Sequence, residues 1–523
     1  MRPWKSVCFV VAAAVVLIPA LGAQETGIPS TQVDVKRDES PVLSTIPAFV
    51  PKGKGKGGPE MHNVKPLPAL PPRTGAAKAA KSVVQLSATT VLDVAPVVSF
   101  PGIGDGPSYI VEHIPSDTTG AIGDTQFVQW VNEALQIFDR NGVSVYGPTL
   151  GQRLWTGFNG PCEQTNDGDP IVQYDKTAHR WMLSQFAVKG GPPFSQCIAI
   201  SESPDAKGKY FRYAVSFDKF NDYPKVGVWS DAYYISFNMF EGDTPLGSKI
   251  CALNRADALA GKATKKMQCF DTPEFGLIPA DLDGATPPPA GSPGYAMNFA
   301  LDKLQLWRIS VDWDDPTKSR MTGPIAIPVA QFDSACGACI PQKPVNGKKA
   351  LLFSMGDRLM YRLAYRNFAD HETLVLNHSV KVNAQNNPAS GIRWYEIRNP
   401  RGVPVVVQQS TYAPGTATAR WLGSPAMDKK GNMLIGYSTS TATGFAGIAL
   451  AGRKNGDAVN TLSKEVSVIS GVASALGGRW GDYSNMSVDP LDDCTFWFTT
   501  EVMSTAGKLW QTRFAHTKFN DCK

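Results

Sequence analysis

The stretch GRWGDYSNMSVDPLDDCTFWFTTE, residues 478–501, sets Gly481-Asp482 directly before a short β-type run, YSNMSV, then a polar turn, DPLDD, then a more aromatic run, CTFWFTT. Short runs of β-branched and aromatic residues bounded by Gly, Pro, Asn and Asp are the pattern of strands joined by tight turns. The same order recurs upstream. Gly123-Asp124 precedes FVQWV, Gly168-Asp169 precedes PIVQYD, and Asn221-Asp222 precedes PKVGVW. Ala280-Asp281 lies in LIPADLDG, Gly356-Asp357 precedes RLMYRLAY, and a weaker Gly423-Ser424 precedes PAMD. Second strands follow several of these entries, as in DKTAHR then WMLSQF, SD then AYYISFNMF, and DKKGN then MLIGYS; QCIAIS and YFRYAVSF read as third and fourth strands after WMLSQF. Four strands in each of seven units predict an all-β fold, a seven-bladed β-propeller of four-stranded antiparallel blades, with spacings beyond the ~40 to 45 residues of minimal blades. SYIVEHI, within 97–116, is expected to complete the last blade and so join the chain ends, protecting edges that otherwise invite aggregation. Helical periodicity is nearly absent; NRADALAGKA is the best candidate.

Outside this domain, 96–523, the composition changes. Residues 24–95 contain PKGKGKGGPE and PLPALPPRTGAAKAAK, rich in Pro, Gly, Ala and Lys without a sustained period, and read as a disordered linker or pro-segment. Residues 1–23 carry Arg2 and Lys5 before an apolar run from Val7 to Ile18, then small residues, the pattern of a secretory signal peptide. No later run is long enough to span a membrane. The protein is therefore expected to be secreted or periplasmic, a monomer with no membrane span. The net charge of +5 is modest and concentrated toward the linker, which argues against a nucleic-acid partner and allows contact with a cell-envelope polymer.

Nine cysteines fall to eight once Cys8 leaves with the signal, an even set in an oxidising compartment. Local pairing would join Cys162 to Cys197, Cys251 to Cys269, Cys336 to Cys339 and Cys494 to Cys522, although spacing alone does not fix the connectivity. Cys336-Gly-Ala-Cys339 lacks the strand-to-helix setting of a redox motif and reads as a loop clip; zinc is disfavoured because no second pair at finger spacing accompanies it.

In a propeller the innermost strands line a central channel, so residues at their entries converge near one mouth. Asp124, Asp169, Asp222, Asp281, Asp357 and Asp482 would form an acidic ring, with Ser424 in the seventh place. Such a ring can bind a hard cation, with Asp167 and Asp169 as candidate calcium ligands, or supply a carboxylate pair for glycosidic chemistry. The competing reading is structural, because Asp before a strand often accepts backbone N–H bonds two residues on. Residues that break the repeat are Arg358, Tyr361, Arg362, Arg393, Glu396, Arg479, Tyr483 and Glu501. Of these, Asp482, Tyr483, Glu501, Arg479, Arg358 and Tyr361 are the catalytic candidates: the arginines as clamps for a carboxylate or sulfate, Tyr or Glu as nucleophile or base. Cross-strand ion pairs account for each Arg equally well. Trp155, Trp394 and Trp480, with Trp229 and Trp421, are candidates to stack on a sugar ring, whereas Trp181 and Trp497 are expected in the core.

SVDPLDDCTFW, with Ser487, Asp489, Thr495 and Trp497, resembles the Asp-box hairpin of sialidase-type propellers, with a longer loop and no central Gly. More broadly, DTTGAIGD, NDGDPIVQYD, GDRLMYRLAYRN, LNHSV and RWGDYSNMSVDPLDDCTFW resemble a group of uncharacterised secreted bacterial β-propeller proteins over most of 115–523. That resemblance implies the fold and export. A sialidase-like site would want three arginines, a Tyr/Glu pair and an acidic proton donor.

His371 and His378 lie an odd step apart in HETLVLNH, on opposite faces of a strand, and lack metalloprotease spacing; His378 is a candidate channel residue. No Gly-x-Ser-x-Gly elbow occurs, and PGIGDGPS lacks the setting of a dinucleotide fold. Two classes remain: a propeller acting on an extracellular glycan as a hydrolase or lyase, and a non-catalytic module that binds a glycan, protein or cell-envelope partner through its loops.

Overall fold

The computed structural model describes residues 27–50, 60–61, 65, 67–68, 70, 83–106, 109–111, 113–263, 266–382, 389–415, 417–504 and 509–523, so the signal peptide expected over 1–23 lies outside the described residues. The described chain is nearly all β. NRADALAGKA supplies one short helix, Arg255–Leu259, capped by Asn254, whose side chain accepts from the Asp257 N–H at 3.0 Å.

The strands form successive antiparallel meanders. Thr119–Ile122, Gln126–Val131, Ala134–Asp139 and Ser144–Leu150 make the first. Ile171–Asp175, Arg180–Ala187, Phe194–Ser201 and Tyr210–Phe217 follow, then Phe220–Val228, Ala232–Glu241, Thr244–Asn254 and Met267–Thr272. Next come Ile278–Asp283, Gly294–Ala300, Lys303–Ser310 and Arg320–Pro328, a hairpin of Ala338–Val345 with Lys348–Phe353, and Met360–Asn367, Glu372–Val382, Ala389–Arg398 and Val405–Tyr412. Thr418–Met427, Met433–Thr441, Gly447–Arg453 and Val466–Ile469 precede the last sheet, in which Asn485–Val488, Phe496–Val502 and Gln511–Thr517 are joined by Val98–Gly104 from the other end of the chain. SYIVEHI is not that strand; the unit is closed by VSFPGIG, and His113–Ile114 pairs instead with Glu60–Met61.

First strands neighbour one another in chain order, and Asn485–Val488 lies beside Thr119–Ile122. Each presents an edge of N–H and C=O groups that must find partners. Polar side chains on the adjoining first strand or its flank supply them. Thr119 Oγ1 accepts from Val172 N–H at 3.2 Å, Asp281 Oδ1 from Val228 N–H at 2.9 Å and Ser424 Oγ from Met486 N–H at 3.0 Å, while Asn485 Nδ2 donates to Gly120 O at 2.7 Å. The first and second strands are buried on both faces, as in Ala232–Glu241, whereas fourth strands such as Ser144–Leu150 are half exposed. Sheets stacked face to face produce that gradient, and the space between them is filled by large aromatics, Trp181, Trp229 and Trp307 among them.

All four disulfides join the expected pairs: Cys162–Cys197, Cys251–Cys269, Cys336–Cys339 and Cys494–Cys522. Cys251 and Cys269 stand directly opposite on neighbouring strands, and Cys494–Cys522 ties the last residues to the hairpin before Phe496. Four disulfides fit an extracellular or periplasmic protein. Among the described residues no helix is long and apolar enough to cross a membrane.

The expectation of a disordered linker over 24–95 is corrected for its described residues. Ile28–Pro29, Thr31–Val33 and Val35–Glu39 add themselves to the outer edges of three successive sheets, against Met321, Met267–Cys269 and Phe211–Val215 in turn. Asp38 receives two hydrogen bonds from the buried Arg212 guanidinium, at 2.7 and 2.6 Å, and Phe49 O accepts from Leu150 N–H at 2.9 Å. Val84–Gln85 pairs with Thr411–Tyr412. Edge strands with unpaired backbone recruit such segments whatever the average composition around them.

Candidate functional site

A cleft of about 700 Å³ opens where several first strands begin. Asp117 stands two residues before Thr119–Ile122, Asp169 two before Ile171–Asp175, Tyr223 at a bulge within Phe220–Val228, and Asp482 three before Asn485–Val488. All four have left-handed backbones, with φ of 45°, 46°, 56° and 62°. Few non-glycine residues adopt this conformation, and its recurrence at equivalent entries shows that each chain turns sharply there to enter the sheet. Asp117, Asp169, Asp222, Tyr223, Arg358, Arg479 and Asp482 line the cleft together, with Asp167 and the ion-paired His113 and Glu133 on its wall.

Burial and like charges set the protonation of this cluster. Asp117 is held well above the usual carboxylate range by burial first and then by Asp482 and Asp169. Asp222 is pushed up to about 7 by burial and by Asp169, against the opposing pull of Arg358 and Lys225. Asp482 is raised by burial; Arg479, which pairs with its Oδ2, opposes the rise. The other oxygen of Asp482 and Oδ1 of Asp117 are buried without a hydrogen-bond partner. Beneath the floor lies Lys225, 1% exposed, its ammonium 3.3 Å from the ring centroid of Tyr223 and 3.9 Å from that of Tyr483. Burial lowers its pKa to about 7.

The acidic ring is only partly realised. Asp169, Asp222 and Asp482 meet as expected. Asp124 does not, because FVQWV is a second strand, so Gly123-Asp124 forms the turn after Thr119–Ile122, where Asp124 faces His179 at 2.9 Å. Its place is taken by Asp117, whose entry, SDTT, has Ser116 where Asp169 and Asp482 are preceded by Gly. Asp281 points at its neighbours within the first strands, bound to Val228 N–H and ion-paired with the wholly buried Arg362, which also holds Asp283. Asp357 turns aside to grip Arg358 with two bonds of 2.8 and 2.9 Å, thereby orienting that guanidinium. Ser424 is buried at its strand position, as its bond to Met486 requires.

Of the catalytic candidates, Asp482, Arg479 and Arg358 line the cleft. Tyr361 is buried and donates to Val226 O at 2.9 Å, tying two first strands together. Tyr483 is also buried, donating to Pro170 O at 3.3 Å with its ring against Lys225. Glu501 is 1% exposed and acts as a clamp: one oxygen accepts from Gly481 N–H at 2.9 Å and from Ser116 Oγ at 2.8 Å, fixing the two loops that carry Asp482 and Asp117. Arg393 bonds Ala330 O and Gln409, and Glu396 receives Arg398 and Gln408, away from the cleft. Two arginines rather than three therefore reach the site, without the Tyr/Glu pair of a sialidase-like arrangement.

The stacking candidates are corrected too. Trp155, Trp394 and Trp480 are fully buried; Trp155 packs on Trp130 and Trp480 on Trp421, filling the space between sheets, where an indole buries the most apolar area. Trp229 is likewise buried, against Tyr365. His378 is not a channel residue but sits buried among Phe299, Phe332 and Tyr395. Asp167 uses one oxygen to accept from Val188 and Lys189 N–H at 2.6 and 2.8 Å, so of the two calcium candidates it is largely engaged by backbone. Among the described residues no group of three or more His, Cys, Asp or Glu is arranged to hold a metal ion. The hairpin of SVDPLDDCTFW is held by Asp492, which accepts from Cys494 and Thr495 N–H at 2.9 Å, and by Asp489, which accepts from the Trp497 indole at 3.2 Å.

Lys225 and Asp117 are the site residues that the sequence did not point to. A lysine inside a β run reads as a solvent-facing position, and Tyr483, which covers Lys225 together with Tyr223, is far from it in the sequence.

No protein-family model and no curated protein matches the chain. Solved structures do resemble it. A thermostable family-43 glycoside hydrolase is 12% identical, covering 68% of this chain and 91% of its own, with a TM-score of 0.29. An endo-arabinase from Bacteroides thetaiotaomicron is 9% identical over 66% of this chain and 92% of its own, TM-score 0.28. An ulvan lyase, described as a new polysaccharide lyase family, is 12% identical over 82% and 97%, TM-score 0.32.

Proposed function

We propose that the chain is an exported seven-bladed β-propeller that hydrolyses glycosidic bonds of an extracellular glycan in the cleft bounded by Asp117, Asp169, Asp222 and Asp482. The observation that carries this reading is the meeting, in one cleft, of a carboxyl raised to about 7, Asp222, with one whose ionised form Arg479 favours through one oxygen, against the rise that burial imposes, while its other oxygen stays free, Asp482. Glycoside hydrolysis needs those two states together. Asp222 protonates the leaving glycosidic oxygen. Asp482 takes a proton from water as that water attacks the anomeric carbon, and the bond to the leaving oxygen breaks. Arg358 and Arg479 stabilise the carboxylates of the cleft. The fold reading is supported by the order of the first strands around a common centre and by the return of Val98–Gly104 to the last sheet. Export is supported by the four disulfides.

The test is mass spectrometry of soluble products after the purified protein meets a panel of neutral and acidic polysaccharides, with and without calcium. Saturated fragments that vanish in Asp222→Asn and Asp482→Asn support hydrolysis. Unsaturated uronic ends would replace it with elimination. No product from any polymer, with binding retained, would replace it with a non-catalytic glycan-binding module.

A further inference from the structure

We propose that Lys225 is a positioning residue: held between Tyr223 and Tyr483, its ammonium favours the ionised form of the neighbouring carboxyls Asp222 and Asp482 and ties together the loops that carry Asp482 and Asp169. The inference rests on the reading of the cleft as an acid–base site.

Three strand entries meet at this side chain. Tyr223 donates its hydroxyl to Asp482 O at 3.2 Å, and Tyr483 donates to Pro170 O at 3.3 Å, next to Asp169. The two rings meet edge to face, 5.9 Å apart. Lys225 Nζ lies over both, with Pro224 O, 2.9 Å away, as its hydrogen-bond acceptor. A cation desolvated between two aromatic faces is attracted to both, so the ammonium joins the loop of Asp482, through Tyr223, to the loop of Asp169, through Tyr483.

Charge makes the position more than a packing device. Asp169, Asp117 and Asp482 act on Lys225 and favour its charged form, whereas Arg358 opposes it. In return, Lys225 lowers the pKa of Asp222 and Asp482. On the far wall, Arg479 is held by Asp482 and His113 by Glu133, so their charges are already matched. Arg358, gripped by Asp357, acts on the same two carboxyls, and Lys225 adds a second shared cation held between the two tyrosine rings.

The test needs no glycan. The full chain is treated with a carbodiimide and an amine across pH 5 to 9, and labelling of the peptides carrying Asp169, Asp222 and Asp482 is followed by mass spectrometry, since only protonated carboxyls react readily. Lys225→Met should raise the pH midpoint at Asp222 and Asp482 by about one unit, a tenfold change in ionisation. Lys225→Arg, which stays charged and also stacks on aromatic faces, should lower the Asp222 midpoint, because the lysine it replaces loses its proton in the same pH range. Midpoints in Lys225→Met within 0.3 unit (~0.3 being about twofold) of the parent, in a variant with native circular dichroism, would overturn the proposal. Should Lys225→Met fail to fold, Lys225→Arg decides: a fixed charge must lower the Asp222 midpoint, and no movement overturns it. Because labelling reads protonation rather than turnover, an absence of glycan products leaves this result interpretable, and the two failures are distinguishable.

Discussion

Glu501→Gln isolates the cost of the clamp beneath the cleft. Burial raises the Glu501 carboxyl from 4.5 to about 7, while its bonds from Gly481 and Ser116 pull the other way. A group whose folded pKa lies above its unfolded value stabilises the fold fully below the unfolded value, and that contribution is lost as pH rises through the folded one. For Glu501 the window therefore runs from 4.5 to about 7. At ~1.4 kcal/mol per pH unit, the native state loses roughly 2 to 3 kcal/mol between pH 5 and pH 8 through this group. Gln keeps an oxygen in place to accept from Gly481 and Ser116 but does not ionise. Urea unfolding of both proteins at pH 5 and pH 8, disulfides intact, should show the parent losing about that much more than the variant. Taking the double difference cancels Asp222, which titrates in the same range in both. Equal pH dependence in the two proteins would refute the reasoning, because it would mean that Glu501 is as well solvated in the fold as in the unfolded chain.

Asp222→Asn should lower kcat on a cleaved glycan by about a hundredfold or more with little change in KM, the usual weight of a general acid, measured by reducing-end release. Arg362→Met strands Asp281 and Asp283 without their shared cation in a buried setting, and denaturant unfolding should register a loss of about 3 to 5 kcal/mol. Asp38→Ala removes two charge-assisted bonds from the buried Arg212 and should destabilise the protein by roughly 2 kcal/mol, with faster proteolysis of residues 27–46 as the local readout.

What the sequence disclosed was set by which signals are local. A strand pair and its turn lie within about twenty residues, so the meanders around WMLSQF and CTFWFTT could be read directly, and the cysteine pairs followed because each spans a single sheet or loop. The outer strands at 28–39 could not be read in this way. TQV and VKRDE are ordinary polar segments until an edge with unpaired backbone lies beside them, and that edge belongs to residues some two hundred positions away. Tryptophan exposure failed for a related reason: Trp155 and Trp480 sit in irregular segments, where indoles are often open to solvent, yet neighbouring sheets close over them.

The recurring entry aspartates show why a sequence repeat misleads about a site even where it marks successive strand pairs. One polar residue per entry answers two separate demands. Inside the first strands, Thr119, Asp281 and Ser424 satisfy N–H groups on the adjoining strand, and any side chain with an acceptor oxygen serves. One turn earlier, Asp117, Asp169 and Asp482 occupy the left-handed position, where Asp is tolerated better than most residues, and their side chains are free to face the cleft. Sequence spacing merges these two classes, which is how Asp281 entered the ring; Asp124 entered it because FVQWV reads as a first strand and is a second, so that Asp117 was left out. Left-handed entry, rather than acidity, separates them: Tyr223 and Leu422 share that backbone and carry no charge. The carboxyls of the cleft therefore come from four of the entries, Asp222 standing beside Tyr223, and that uneven distribution is what a site built on part of a recurring set of strand entries requires.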